Sequence, residues 1–244
     1  MMGCEEKAIA WGHPSYVWRR GQERRLEFVR RYVDLEGARV LDAGCGLGLY
    51  MLRFRDFTEH VYGVDVDPEK VRKAQEIPSH VQCASAEHLP FATNFFDIVF
   101  SHEVLEHVDD DAEAVREAHR VLKPGGRLVI FVPNRWYPFE THGVYWRGEY
   151  HFGNIPLVNY LPTAWRDRLC PHVRAYTGRN IRSLLKELPG RIVVHRRVFA
   201  GYDNIVARSP LLGSILRRVS YFLERTPLQV LGLSHLVVFE KASD

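Results

Sequence analysis

The sequence predicts a doubly wound α/β fold, and three observations carry that expectation. From Val40 onward, short apolar runs alternate with amphipathic stretches, the pattern of strands joined by helical crossovers. The first run ends in a turn holding Gly44, Gly46 and Gly48, as where a parallel strand feeds a helix. A chain of 244 residues, 46% hydrophobic and 26% charged, suits one α/β domain with a large insertion and excludes a disordered or fibrous protein.

Each element follows from its local pattern. Residues 22–33 read as an amphipathic helix with Leu26, Val29 and Val33 on one face. Strands are expected at 39–42, 60–64, 80–84 and 96–101, the fourth of them buried. Pro68 opens a charged helix at its first-turn position, and Asp67 before it is placed to cap it. Over 109–122, Val115, Ala118, Val121 and Leu122 recur at helical spacing until Pro124, Gly125 and Gly126 break the run before a fifth strand at 127–132. Residues 134–176 have no clean period and are rich in aromatics, Gly, His and Pro, so they are expected to form an inserted lid or substrate segment. A helix at 178–188, a strand at 191–199, an amphipathic helix at 210–225 and a strand at 235–241 complete seven strands in one domain spanning 1–244. Right-handed crossovers then give a mostly parallel sheet with helices on both faces.

Composition narrows the setting. Cys4, Cys45, Cys83 and Cys170 form no CxxC pair, which points to free thiols in a reduced compartment. Residues 1–18 include Glu5, Glu6, Lys7 and His13 and lack the apolar core of a signal peptide, and no apolar run approaches a membrane span. A cytoplasmic protein is expected. The net charge of +3 hides an asymmetry: residues 164–225 carry thirteen Lys or Arg against four Asp or Glu, a net +9. That third faces either solvent or something anionic, such as a substrate or a membrane surface.

The glycine turn reads Val40-Leu41-Asp42-Ala43-Gly44-Cys45-Gly46-Leu47-Gly48. Its spacing is GxGxG, with Leu49 where a dinucleotide fingerprint would put its third glycine. Asp42 at its entrance would repel a pyrophosphate and favour a cation, so a ligand carrying a sulfonium and an ammonium fits better. Asp65 ends the second strand 21 positions after Gly44, where an acid can accept hydrogen bonds from ribose hydroxyls.

With VLDAGCGLG, VYGVDVDPEKV, SAEHLPFATNFFDIVFSHEVLEHV and RVLKPGGRLVI in this order, the sequence resembles the class I S-adenosylmethionine-dependent methyltransferases, in particular the group with a methyltransferase type 11 domain. The resemblance implies strand order 3-2-1-4-5-7-6 with the last strand antiparallel, and S-adenosyl-L-methionine as cofactor. It also implies Gly44 and Gly46 beneath the methionine part, Asp65 on the ribose, and Val66 against the adenine, with Cys45 of the same turn counted among the cofactor-binding residues. Ser85 and Ala86 would then sit at the adenine edge, and Ser101, His102 and Glu103 near the methionyl amine. The family often has an acid where this chain has Ser85, whose hydroxyl accepts more weakly than a carboxylate.

Methyl transfer from a sulfonium is an in-line displacement that needs the acceptor close and water excluded. An oxygen acceptor also needs its proton removed. His107, His102 and His142 are the candidate bases, and His151 is a reserve. The spacing of His102, Glu106 and His107 matches neither HExxH nor HxxEH, so no metal is expected. Trp136, Tyr137, His142, Tyr145, Trp146 and His151 are expected to line the acceptor pocket, suited to a small, partly apolar or lipid-linked molecule. The place after the fourth strand reads Ser101-His102-Glu103-Val104, unlike the Pro-Pro-Tyr signature of amino-methylating nucleic-acid enzymes, so nucleic acid is not the expected partner. A cofactor-binding protein without turnover, and an RNA-directed enzyme using the basic third, remain as alternatives. The 210–225 helix, with arginines beside its apolar face, either packs on the domain or rests weakly on an anionic membrane.

Overall fold

The structure is a computed structural model that describes residues 18–243. The reading made above of residues 1–17 lies outside the described residues. In chain order the elements are α1 (Arg20–Tyr32), β1 (Val40–Ala43), α2 (Leu49–Phe54), β2 (Val61–Asp65), α3 (Pro68–Ala74), β3 (His80–Cys83), β4 (Phe96–His102), α4 (Asp111–Val121) and β5 (Leu122–Pro133). Four short strands follow, β6 (Phe139–Glu140), β7 (Val144–Trp146), β8 (Glu149–His151) and β9 (Ile155–Pro156). Then come α5 (Thr163–Leu169), α6 (Gly178–Leu185), β10 (Gly190–Val198), α7 (Asp203–Arg208), α8 (Pro210–Leu223) and β11 (Ser234–Lys241).

Seven strands form one sheet in the order β10-β11-β5-β4-β1-β2-β3. Read from the other edge this is the expected 3-2-1-4-5-7-6. β1, β2, β3, β4 and β5 pair in parallel, and β11 runs antiparallel to both β5 and β10. Alternation along the central strands builds two cores, because successive side chains point to opposite faces. Val129 and Phe131 of β5 join Val29, Met51, Phe54 and Val71 on one face. Leu128, Ile130 and Val132 join Val115, Ala118, Val121 and Ile181 on the other. The Pro124 to Gly126 break survives inside β5 as an irregularity: Leu122 pairs with Phe96, and regular pairing resumes at Arg127.

Caps set the helix starts that matter for the site. Asp67 accepts from the Glu69 amide at 2.9 Å ahead of α3, and Asp110 accepts from the Glu113 amide at 2.9 Å ahead of α4. The ends of the 134–176 segment meet, since Asn134 and Tyr176 bridge each other. Within it, β6 pairs with β9 and β7 with β8 around a small core of Val144, Val158, Cys170 and Val173. Its organising group is polar. Buried Arg166 donates to Glu140 at 2.7 Å and to the Val173 carbonyl at 2.8 Å.

Helix α8 is amphipathic as expected, but its apolar face is turned outward. Leu211 is 74% and Phe222 65% exposed, with Leu212, Ile215 and Val219 also exposed, while Gly213 and Ser220 face inward. A Cβ at Gly213 would lie 2.4 Å from a Val206 methyl, so the glycine is what lets α7 and α8 approach. The anchor is Glu224, buried just after the helix, which pairs with Arg24 of α1 and accepts from the Phe199 amide at 2.8 Å. Among the described residues no helix is long and apolar enough to cross a membrane.

Candidate active site

The carboxyl ends of β1, β2 and β4 open into a cleft of about 630 Å³, the crevice where open α/β sheets bind ligands. The turn after β1 forms its floor. The amides of Gly44 and Cys45 both donate to the Val64 carbonyl at 2.8 Å, locking the turn onto β2. Gly44 and Gly46 have φ of +90° and +55°, a region that favours glycine. Any Cβ at Gly44 would lie 2.2 Å from a Val104 methyl, so this glycine lets the turns after β1 and β4 touch. At Gly46 a Cβ would meet no protein atom within 4 Å and would instead enter the cleft.

Two carboxylates flank that floor. Asp65 accepts from the Gly46 amide at 2.8 Å and from the Asp67 amide at 2.9 Å, one bond to each oxygen. A carboxylate has about four lone-pair sites, so two remain for hydroxyls in the cleft. Asp42 is buried, and burial, followed by the charge of Asp65, pushes its carboxyl up to about 8. A cation beside it would restore the charged form. Val66, apolar yet 47% exposed, forms part of the wall next to Asp65. These features fit the nucleoside and sulfonium of the expected cofactor: an anchored acid, a glycine cradle, an apolar wall and a carboxyl awaiting positive charge.

Of the residues singled out for the cofactor, Asp42, Gly44, Cys45, Gly46, Asp65, Val66, Ser85, Ala86 and His102 line the cleft. Ser101 does not. Phe100 and His102 stack on one face of β4 at 5.9 Å, so Ser101 between them points the other way and is buried. Ser85 donates to Glu87 at 2.8 Å and accepts from its amide at 3.1 Å, and Glu87 itself lines the cleft. An acid thus stands two residues after position 85, bonded to the Ser85 hydroxyl. Sequence reading also passed over Gln22, Tyr50 and Lys70, which complete this wall. Gln22 and Lys70 project from the polar sides of α1 and α3, for which pattern gives no signal.

The three candidate bases sit differently. His102 packs against Tyr50 at 5.0 Å, and burial, followed by the charge of Arg25, lowers it to about 3. A ring held neutral so firmly is a poor proton acceptor, so its place is in the aromatic wall. His107 and His142 face each other at 5.5 Å. The Nδ1 of His107 donates to the His172 carbonyl at 3.2 Å, and the Nδ1 of His142 donates to Glu140 at 3.2 Å. Both acceptors carry no proton to give, which assigns the donor role to each ring. Burial, and then the charge of His142, lowers His107 to about 4. Glu140 is held at about 2: burial alone would raise it, but the His142 hydrogen bond and the Arg166 charge outweigh that.

Glu103 and Glu106 lie beside these imidazoles. Glu103 adopts a left-handed φ of +55° and accepts from Ser234 at 3.1 Å, with His142 Nε2 at 3.9 Å. Burial would raise its carboxyl, but His102, Arg25 and His142 hold it below the usual range. Glu106 is pushed well above that range by burial and by the charge of Glu103.

The expected acceptor pocket is corrected by the structure. Of its six residues only His142 lines the cleft, joined from the insertion by Thr141 and Phe152. Trp136, Tyr137, Tyr145, Trp146 and His151 do not line it. The β7–β8 hairpin pairs Trp146 with Glu149 and Tyr145 with Tyr150, and its alternation leaves Trp146 57% exposed. His151, the reserve base, is exposed and does not line the cleft.

Residues 41–130 match the model of a family described as a methyltransferase domain. Over 118 residues the chain is 41% identical to a ubiquinone biosynthesis O-methyltransferase of Xanthomonas oryzae pv. oryzae, covering 46% of this chain and 49% of that protein. It is 30% identical over 138 residues to the protein of the same name from Coxiella burnetii, covering 54% and 58%. The chain therefore spans about half the length of these curated relatives. An S-adenosylmethionine-dependent methyltransferase of Mesorhizobium loti shares the fold, with a TM-score of 0.62 at 20% identity over 88% of this chain and 96% of that one. The stretch that matches a methyltransferase domain contains the turn after β1, Asp65 and the turn after β4.

Proposed function

We propose that this chain transfers the methyl group of S-adenosylmethionine to an oxygen of a small, partly apolar acceptor. The observation that carries the reading is the make-up of the cleft. One end offers Asp42, Gly46 and Asp65 to a cationic nucleoside ligand, and the other offers Glu103, His107 and His142 to a group that must lose a proton. The names of the curated relatives support oxygen as the acceptor atom.

When bound, the cofactor supplies an electrophilic methyl. Asp65 accepts the ribose hydroxyls with the lone pairs its two amide bonds leave over. Asp42 balances positive charge at the turn, and Gly46 leaves room for the methionine chain. Thr141, His142 and Phe152 of the insertion cover the far side, which excludes water and holds the acceptor near its in-line position. The proton of the acceptor leaves at the polar end, where His142 is oriented by Glu140, itself fixed by Arg166.

Incubating the protein with S-adenosylmethionine and a panel of phenols, carboxylates and amines, read by mass spectrometry, tests this. An O-methylated product that disappears in Asp65→Ala supports it. Cofactor binding without any product identifies a binding protein, and an N-methylated product overturns the oxygen assignment.

The acceptor is proposed to be lipid-like and to reach the protein at an anionic membrane through α8. The outward apolar face of α8, flanked by exposed Arg208, Arg218 and Arg225, supports this. Basic side chains near such a surface are worth about 1 kcal/mol each and make binding salt-sensitive. Much of the basic third is used internally: Arg166 with Glu140, Arg174 with the Asp109 carbonyl, Arg191 with Glu240 and Arg217 with Asp203. A continuous nucleic-acid track is correspondingly disfavoured.

A further inference from the structure

Two arginines of the basic third take no part in the internal pairings given above. Residues two apart on a strand share a face, as do residues four apart on a helix. β10 therefore presents His195 and Arg197 together, and α6 presents Gly178 with Arg182. The two faces meet at Gly178. A Cβ there would stand 2.5 Å from Nη2 of Arg197, 3.4 Å from Cε1 of His195 and 3.6 Å from Nη1 of Arg182. The glycine makes room for this convergence and leaves the two guanidinium nitrogens within about 6 Å of each other, where like charges repel.

The surroundings do not relieve that repulsion. Among the described residues, the charge acting on Arg197 is that of Arg182, and the charges acting on His195 are those of Arg197 and Arg182. The Nε of Arg197 is shut off from solvent without a hydrogen-bond partner. Arg182 is aimed by imidazoles instead of an acid. The Tyr176 carbonyl can only accept, so His235 donates to it through Nε2 at 2.9 Å and its Nδ1 carries no proton. His195 therefore donates through Nε2 to His235 at 2.9 Å, and its own bare Nδ1 accepts from Arg182 at 3.2 Å. This neutral chain fixes the Arg182 side chain without cancelling its charge.

We propose that Arg182 and Arg197, converging over Gly178, bind a phosphate-type oxyanion beside the β10 edge of the sheet, outside the methyl-transfer cleft. Neither arginine lines that cleft. Each guanidinium offers a planar fork of donors, and phosphate oxygens accepting at about 2.8 Å span a gap of this size. Two full positive charges suit a dianion better than a carboxylate. Arg179, exposed and three residues before Arg182 on the same side of α6, adds charge at the rim. A soluble phosphate ester and a phospholipid headgroup offer this same chemistry.

The test is calorimetric titration of the chain with inorganic phosphate and pyrophosphate in chloride buffer of constant ionic strength. One saturable site is expected, unchanged when S-adenosylhomocysteine is present. Arg182→Gln and Arg197→Gln should each weaken it at least tenfold. Arg197→Lys, which keeps the charge and loses the fork, should weaken it too. Lys186→Gln, which removes an exposed charge farther along the same segment, should leave it intact. Cooperative melting without phosphate shows that the variants are folded. Glycerol phosphate and a short-chain phosphatidic acid, both in solution, then compete for the site: tighter binding of the first assigns a soluble ester, tighter binding of the second a lipid headgroup. No saturable uptake, displacement by S-adenosylhomocysteine, or equal weakening by Lys186→Gln overturns the proposal, whatever the outcome of the methylation assay.

Discussion

Asp65 and Asp42 are both buried beside the glycine turn, yet they use the same side chain differently. Asp65 spends two lone pairs on backbone amides and keeps two for a ligand. Asp65→Ala should therefore cost about 1.5–3 kcal/mol of cofactor binding, tenfold or more in affinity. Asp42, raised to about 8, is protonated in the free protein at neutral pH. The unfolded chain ionises it near its ordinary value, so its contribution to stability is present below that value and is lost as pH rises towards 8. Asp42→Asn should consequently melt higher than the wild type at pH 8–9, with little difference at pH 4. In the wild type, S-adenosylmethionine affinity should climb with pH up to about 8, a slope that calorimetry should find flattened in the variant. Asp65 and Asp67 were legible in the sequence, because a strand-ending acid and a Pro-preceded cap have separate signatures. Ser101 was misplaced for want of strand phase: its neighbours Phe100 and His102 face the cleft side. Glu87 escaped notice because its link to Ser85 forms only once the turn after β3 has closed.

At the scale of elements, periodicity revealed that α8 is amphipathic but not which face is buried. A hydrophobic stripe is ordinarily turned inward. Here Gly213 and Ser220 make the contact and Glu224 holds it through Arg24. Glu224→Ala should thus destabilise the protein by about 3 kcal/mol or more, since it leaves a largely buried guanidinium unpaired. Leu211→Ser with Phe222→Ser, at exposed sites, should change stability by only about 0.5 kcal/mol per site while abolishing co-sedimentation with anionic liposomes at low salt. Full retention of liposome binding by that double variant would remove α8 from the membrane contact. The insertion shows the same limit. Its aromatic richness suggested a pocket, but short hairpins alternate their side chains, and buried Arg166 with Glu140 supplies the order. Which aromatics turn inward depends on register, which composition does not encode.

For the whole molecule, alternation and right-handed crossovers predicted a mostly parallel sheet with helices on both faces, whereas the strand order came through the family resemblance. What the sequence could not convey is how distant segments share charge. His195 and His235 meet at 2.9 Å across β10 and β11, and burial with nearby Arg197 and Arg182 lowers them to about 4 and about 3. Both rings are depressed, so the stability they contribute is present above the ordinary histidine value and is lost as pH falls through their folded values. Urea midpoints should therefore drop between about pH 6.5 and pH 4, and His235→Asn should shallow that slope. Titration calorimetry with S-adenosylhomocysteine, on the wild-type chain and on Asp65→Ala, reaches the cleft assignment most directly. One saturable site in the wild type, weakened at least tenfold in a folded Asp65→Ala variant, is the expected result; no binding heat, or an unchanged Kd in the variant, would contradict it.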